Sequence, residues 1–334
     1  MAFDLAFIWA GIIAFAILTY VVLDGFDLGV GVLFPFAKSE QDKDVMMNSV
    51  APVWDGNETW LVMGGGGLFA VFPLAYAVVM PALYMPIILM LLALVFRGVA
   101  FEYRWRTKRW KGIWDAAFAG GSSVAAMMQG ITLGALVQGI EVSGRAYAGG
   151  WWDWLTPFSI LTGVAVVIGY ALLGSTWLVM KTNDGLQIQM RRYAWYLAAA
   201  TLFFILVISI MTPLQDPVYF QRWFNLPGSI FSVLVPSLVA LTAWQLFSGL
   251  NDQRDVKPFL SALTLFVLCF VGIGISFYPH IVPPSLTIWQ AAAPDASLQF
   301  TLVGTVILIP LILGYTAYAY WVFRGKVDPT EGYH

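Results

Sequence analysis

Eight runs of about twenty predominantly apolar residues dominate this chain, and each is long enough to cross a hydrocarbon core about 30 Å thick. They fall near 5–23, 75–96, 116–136, 157–180, 194–211, 229–247, 259–277 and 298–323. In lipid every backbone N–H and C=O must be satisfied within the protein, which a helix does by itself. Charge supports the same reading. Only 11% of the 334 residues are charged and 60% are hydrophobic, whereas globular chains carry about 25% charge. So few polar groups cannot cover a surface in water. The sequence therefore predicts an all-α polytopic membrane protein, a single integral membrane domain over residues 1–334. Residues 1–139 form a first helical bundle with acidic motifs, and 140–334 hold the remaining helices and a cytoplasmic tail.

The segment 60–72 is harder to place. Alone it is short for a span, and it carries Gly64-Gly65-Gly66-Gly67 before Pro73, so it could be re-entrant. Extended back through Trp54, Asp55, Asn57 and Glu58 it reaches about 19 residues, enough to cross if its polar end faces protein or water. Loop charge arbitrates. Arg97, Arg104, Arg106, Lys108, Arg109, Lys111, Lys181, Arg191, Arg192, Arg254, Lys257, Arg324 and Lys326 fall in alternate loops or the tail, and only Arg145 and Arg222 fall in the others. Cytoplasmic loops carry the excess of Lys and Arg, which fixes every span after Arg97. Lys38 and Lys43 favour nine transmembrane helices over eight, with the N-terminus periplasmic and the C-terminus cytoplasmic. Residues 1–4 have no basic signal-peptide region and no small-residue cleavage site follows the first run, so that span is expected to be retained.

Several function classes drop out. A net charge of −2 leaves no basic face for nucleic acid. Cys269 stands alone in an apolar run, so it neither staples the fold nor builds a zinc site. His280 and His334 are the only histidines, too few for a normal set of haem ligands, and His280 lies among prolines at the outer edge. The Gly64–Gly67 run reads as a place where helices approach closely. Trp151, Trp152, Trp154, Tyr318, Tyr320 and Trp321 read as interface anchors.

Ionisable residues within spans are costly, about 2.5–3.5 kcal/mol each on insertion scales, so each asks for a reason. Asp24 and Asp27 are three apart and share a helix face, near the far edge of the first span. Asp55 and Glu58, also three apart, open the second span from the same side. Such a cluster of carboxyls can relay protons or bind cations. Equally, Asp55 can cap a helix while the others sit among headgroups. Arg97, followed by Glu102 and Arg104, reads either as an interfacial snorkelling residue or as a buried partner for one of the acids.

Four strings carry a resemblance: Asp24-Gly25-Phe26-Asp27-Leu28-Gly29-Val30-Gly31, Asn48-Ser49-Val50-Ala51-Pro52-Val53-Trp54-Asp55-Gly56-Asn57-Glu58-Thr59-Trp60-Leu61, Phe96-Arg97-Gly98-Val99-Ala100-Phe101-Glu102-Tyr103-Arg104 and Pro284-Ser285-Leu286-Thr287-Ile288-Trp289. In this order they resemble subunit II of the bd-type quinol oxidases of bacteria, including the cyanide-insensitive branch. The likeness extends to Tyr320.

The resemblance implies two four-helix bundles plus one peripheral helix in the bacterial inner membrane. It implies a respiratory complex that oxidises quinol and reduces oxygen to water, with haem b558, haem b595 and haem d all on subunit I and none ligated by this chain. Subunit I, quinol and membrane lipids are the implied partners, with a small single-helix accessory subunit in some complexes. Some members hold a structural quinone here, though no motif places one. Carried over residue by residue, Asp55 is the leading candidate for proton delivery, followed by Asp27, Asp24 and Glu58. Trp54, Asn57, Arg97 and Glu102 are supporting residues, and Glu102 stands where other relatives have Asp. A secondary transporter, whose broken helices also bear carboxylates, and a purely structural partner that shields subunit I from lipid are the competing readings.

Overall fold

The computed structural model describes residues 4–107, 109–226 and 228–328, so Lys108 and His334 lie outside the described residues. The helices are α1 (Leu5–Leu33), α2 (Glu40–Val50), α3 (Trp54–Val71), α4 (Pro73–Ala82), α5 (Tyr84–Arg106), α6 (Lys111–Gln138), α7 (Pro157–Lys181), α8 (Asp184–Met211), α9 (Pro217–Phe224), α10 (Gly228–Asn251), α11 (Lys257–Phe277), α12 (Ile288–Ala291) and α13 (Asp295–Val322). Two antiparallel hairpins, β1 (Val142–Ser143) with β2 (Ala146–Tyr147) and β3 (His280–Val282) with β4 (Leu286–Thr287), lie in connecting loops. Eight helices are long and apolar enough to cross a membrane: α1, α5, α6, α7, α8, α10, α11 and α13. The chain is a multi-pass, all-α membrane protein.

Helix α3 is the segment on which the sequence was ambiguous. It packs antiparallel to α1. Asn57 reaches the Leu23 carbonyl, Trp60 meets Phe15, Gly64 faces Ile17 and Gly67 faces Ile13. As residue numbers rise on α3 they fall on α1, and its eighteen residues cover about 27 Å at 1.5 Å each. Gly64 and Gly67 thus serve helix approach, while Gly65 and Gly66 face open space.

Two boundaries differ from the sequence reading. The apolar block 75–96 is two helices, α4 and α5, broken at Leu83. Pro81 and Pro86 each lack an N–H and crowd the carbonyl four residues earlier, so one continuous hydrogen-bond ladder cannot pass through this stretch. Helix α1 continues ten residues past Leu23. Asp24 and Asp27 are therefore inside the packed bundle, not at its rim, and neither is exposed.

Glycines explain how α1 continues through that stretch. A Cβ on Gly29 would overlap the Tyr170 carbonyl oxygen on α7, and one on Gly174 would overlap the Gly29 backbone. The two backbones touch, joining the first half of the chain to the second. Between helices in lipid, association rests on van der Waals packing of this kind, because tails are as apolar as the side chains they would replace. Beside the contact Phe26 stacks on Trp177, with ring centroids 4.2 Å apart, and meets Phe259 edge-on.

Hydrogen bonds tie the loops together at both ends of the bundle. Trp9 Nε1 donates to the Leu298 carbonyl and the Ala293 N–H to that of Val71 at one end; at the other, the Val327 N–H donates to the Lys181 carbonyl and Gln189 to that of Phe36.

Gly29→Ala and Gly174→Ala should each destabilise the protein by about 1–3 kcal/mol, the cost of overpacking. A lowered thermal midpoint in detergent relative to Gly65→Ala, where a methyl group meets open space, is the expected measurement.

Candidate functional site

Arg97 is the centre of the site. It sits on α5, completely buried, with Nη1 3.0 Å from Asp24 Oδ1 and 3.4 Å from Glu58 Oε2, and Nη2 3.8 Å from Asp27 Oδ2. Three helices contribute: α1 gives both aspartates, α3 gives Glu58 and α5 gives the arginine. The helical spacing anticipated from the sequence is the cause, since Asp24 and Asp27 lie on the one face of α1 that looks toward α3 and α5. Of the two readings of Arg97, the structure shows the buried partner.

Asn57 fixes one member of the set. Its Nδ2 donates to Asp27 Oδ2 at 2.7 Å and to the Leu23 carbonyl at 3.3 Å, while its Oδ1 accepts from the Tyr320 hydroxyl at 2.9 Å. Tyr320 comes from α13, so a helix from the far end of the chain closes the site. On the other flank Tyr20, one turn before Asp24, accepts from Gln129 Nε2, and Gln129 Oε1 accepts from the Tyr170 hydroxyl, both at 2.7 Å.

The set is paired in charge but poor in hydrogen bonds. Both Asp24 oxygens, Asp27 Oδ1, and Arg97 Nε and Nη2 are buried with no hydrogen-bond partner among the described residues. The 3.0 Å approach of Arg97 to Asp24 is an ion pair whose angles do not make a hydrogen bond. A buried polar atom left without a partner costs about 1–3 kcal/mol, so stability alone does not account for the cluster. One guanidinium also faces three carboxyls, which leaves carboxyls in excess of the charge available to balance them.

The remaining sequence candidates divide. Trp54 supports the site: its ring stacks on Phe101 at 4.8 Å and 6°, Phe101 lies under the Arg97 guanidinium, and Gly98 leaves room for the indole. Glu58 is part of the cluster, and its side chain, 26% exposed, connects it to the outside. Asp55, the leading candidate from sequence, is exposed and stands one turn before Glu58 on α3, outside the ion cluster. Glu102 lies on the opposite face of α5 from Arg97, Phe101 and Arg104, and pairs with Arg106 at 3.5 Å. Residues at i, i+4 and i+7 share a helix face and i+5 does not, which is why Arg97 and Glu102 part company.

Tyr320, Tyr20, Gln129 and Tyr170 are members of the network that the sequence reading missed. Only Gln129 carried a signal, as an amide in the middle of an apolar run. Tyr320 was read as an interface anchor, and nothing local distinguishes it from Tyr318, which is exposed.

A second ionic cluster lies farther along α5. Buried Arg104 meets Asp115 and Asp44 at 2.5 Å each and Glu40 at 3.5 Å, and Lys43 and Lys111 complete the set. The hydrogen bond from Lys43 lowers the Glu40 pKa below its ordinary value, while hydrogen bonds to Asp115 and Glu40 raise that of Lys43. This cluster clamps α2 onto α5 and α6.

Haem-ligating or metal-ligating donors do not assemble here. Among the described residues no three His, Cys, Asp or Glu side chains form a metal site. His280 lies in the β3 strand, where partial burial and the charge of Arg222 hold its pKa below the ordinary value.

The fold and the site define a polytopic helical membrane subunit that gathers its buried ionisable groups at one point between α1, α3 and α5. Residues 5–323 match the family model described as cytochrome bd terminal oxidase subunit II. The chain is 32% identical to the cytochrome bd-I ubiquinol oxidase subunit 2 of Escherichia coli K12, over 98% of this chain and 96% of that protein. It is 28% identical to the cytochrome bd ubiquinol oxidase subunit 2 of Bacillus subtilis 168, over 97% of each. The bd oxidase structure from Geobacillus thermodenitrificans superposes with a TM-score of 0.78 at 16% identity, covering 96% of this chain and 99% of that one, so the fold is shared. The chain belongs to the subunit II family of cytochrome bd terminal oxidases.

Arg97→Met should destabilise the protein by about 3–5 kcal/mol by leaving carboxyls buried without a cation, and Tyr320→Phe by about 0.5–1.5 kcal/mol for one hydrogen bond. Arg97→Lys should recover part of the loss. Thermal midpoints in detergent check this order.

Proposed function

We propose that this chain is the haem-free second subunit of a quinol:oxygen oxidoreductase, and that its acidic cluster carries protons from the cytoplasm toward the partner, subunit I. The single observation that supports this most is the burial of Arg97 against Asp24, Asp27 and Glu58, with Glu58 alone reaching the outside. The names of the relatives supply the reaction class.

Topology follows from the same geometry. Because α3 lies antiparallel to α1 along its length, it serves as a ninth crossing beside the eight apolar helices. The end that holds Asp24 and Glu58 also holds the basic residues of α5, α8 and the segment after α13, and the bias of Lys and Arg assigns that end to the cytoplasm. The N-terminus is then periplasmic and the C-terminus cytoplasmic, in the inner membrane.

Each residue has a distinct task. Asp55, exposed at the first turn of α3, is the first group a proton from water meets. Glu58 Oε2, one turn on, exchanges it with the buried set. Arg97 keeps Asp24 and Asp27 within ion-pair range and offsets part of their charge, so that a proton can leave one oxygen without isolating a bare charge in lipid. Asn57 positions Asp27 through its amide N–H and carries no proton itself. Oxygen reduction in the complex consumes protons, and drawing them from the cytoplasm separates charge across the membrane. The haems that supply the redox chemistry belong to subunit I in this proposal, since the donors of this chain do not fit one.

The test is quinol-dependent oxygen consumption by the assembled complex. Asp24→Asn, Glu58→Gln and Asp55→Asn remove a titrating group at nearly constant size and should lower turnover about tenfold or more, with the haem spectrum retained. Unchanged turnover in all three assembled variants would overturn the proton-delivery role while leaving family membership intact.

A further inference from the structure

Away from the acidic cluster, the first turns of α8 bear a feature that proton delivery does not use. Ile188, Arg191, Arg192, Trp195 and Tyr196 fall at i, i+3, i+4, i+7 and i+8, one face of the helix, and with Leu250 at the end of α10 they line an open groove of about 430 Å³. Ile188, Trp195 and Tyr196 are exposed. The two arginines stand where the polar start of α8 gives way to its apolar run, the height of phospholipid headgroups on a membrane helix.

The charges around the groove are unbalanced. Arg191 Nη2 is 3.0 Å from Asp255 Oδ1, and Lys326 Nζ is 2.9 Å from the other oxygen of the same carboxylate. Burial pushes the Asp255 pKa up, but Lys326, Arg191 and the hydrogen bond from Gln187 outweigh it and hold the group below its ordinary value. One carboxylate therefore serves two cations, and Arg192 has no ion pair or hydrogen bond among the described residues. Three cations around one anion leave an excess of positive charge beside an apolar, aromatic wall.

We propose that this groove binds an anionic diacyl phospholipid, its phosphate held by Arg192 and Arg191 and an acyl chain laid against Trp195 and Leu250. Charge complementarity selects the headgroup, because a guanidinium pairs with phosphate through charge-assisted, often bidentate hydrogen bonds, and basic pockets between transmembrane helices take such headgroups. A zwitterionic lipid offers the same chains but carries its own cation, which the surplus charge disfavours. The aromatic pair is preset: Trp195 meets Tyr196 edge-on at 5.6 Å and Phe247 at 5.5 Å. The inference rests on the membrane reading of the fold and is independent of the oxidase activity.

The assembled complex, purified in detergent and stripped of lipid, is titrated with dioleoylphosphatidylglycerol, dioleoylphosphatidylcholine or inorganic phosphate, with thermal midpoint and bound lipid by native mass spectrometry as readouts. Phosphatidylglycerol should raise the midpoint in a salt-sensitive way and remain bound, the other two should not, and Arg192→Gln should weaken its retention about tenfold with Arg192→Lys intermediate. Equal protection by phosphatidylcholine or phosphate in the wild type overturns the proposal whether or not the variants assemble. So does equal retention by Arg192→Gln, or a quinone in place of phospholipid as the molecule that this substitution releases. Oxygen consumption, measured in parallel, reports separately on the proton-delivery reading.

Discussion

A guanidinium removed from water between three carboxyls is the constraint around which the first half of this protein is arranged. In a bilayer such a group is stable only if its counter-charges arrive together, and they arrive from different helices. Helix α1 therefore runs past the length needed to cross the hydrocarbon, α3 must lie antiparallel against it, and α5 must carry Arg97 inward past the end of its apolar run. Each of these departures from a minimal span serves the one cluster.

The glycine contact between α1 and α7 and the polar network are two parts of one arrangement. Gly29 lets the backbones touch, which brings Tyr170 beside Gly25 and, through Gln129, into line with Tyr20. Small residues set the distance and larger polar ones use it. Aromatic rings fill the neighbouring space: Trp54 on Phe101 on the α3–α5 side, and Phe26 on Trp177 on the α1–α7 side.

Much of this was legible in the chain, for identifiable reasons. Long apolar runs declare membrane helices because the bilayer tolerates little else, and Asp24, Asp27, Glu58 and Arg97 stood out because charge is scarce there. The proline-broken block 75–96 was hidden, since its hydropathy is continuous while its hydrogen-bond ladder is not. Partners far apart in sequence were hidden too. Tyr320 and Tyr318 differ only in which way the helix turns them, and α13 supplies that information only once it is packed. Asp55 and Glu102 show the converse limit, because proximity in sequence to a site residue does not carry a side chain into the site.

The clamp on α2 bears on how the chain length there can vary. Asp44 is held by Arg104 and Lys111, and only thirteen positions farther on Asn57 must meet Asp27. Adding or deleting a single residue between these anchors would rotate everything downstream by about 100°, swinging Glu58 away from the guanidinium and Trp54 off its aromatic platform. Point substitutions can be absorbed in this stretch one contact at a time, but its residue count is a phase setting, and both anchors have to be satisfied by the same number.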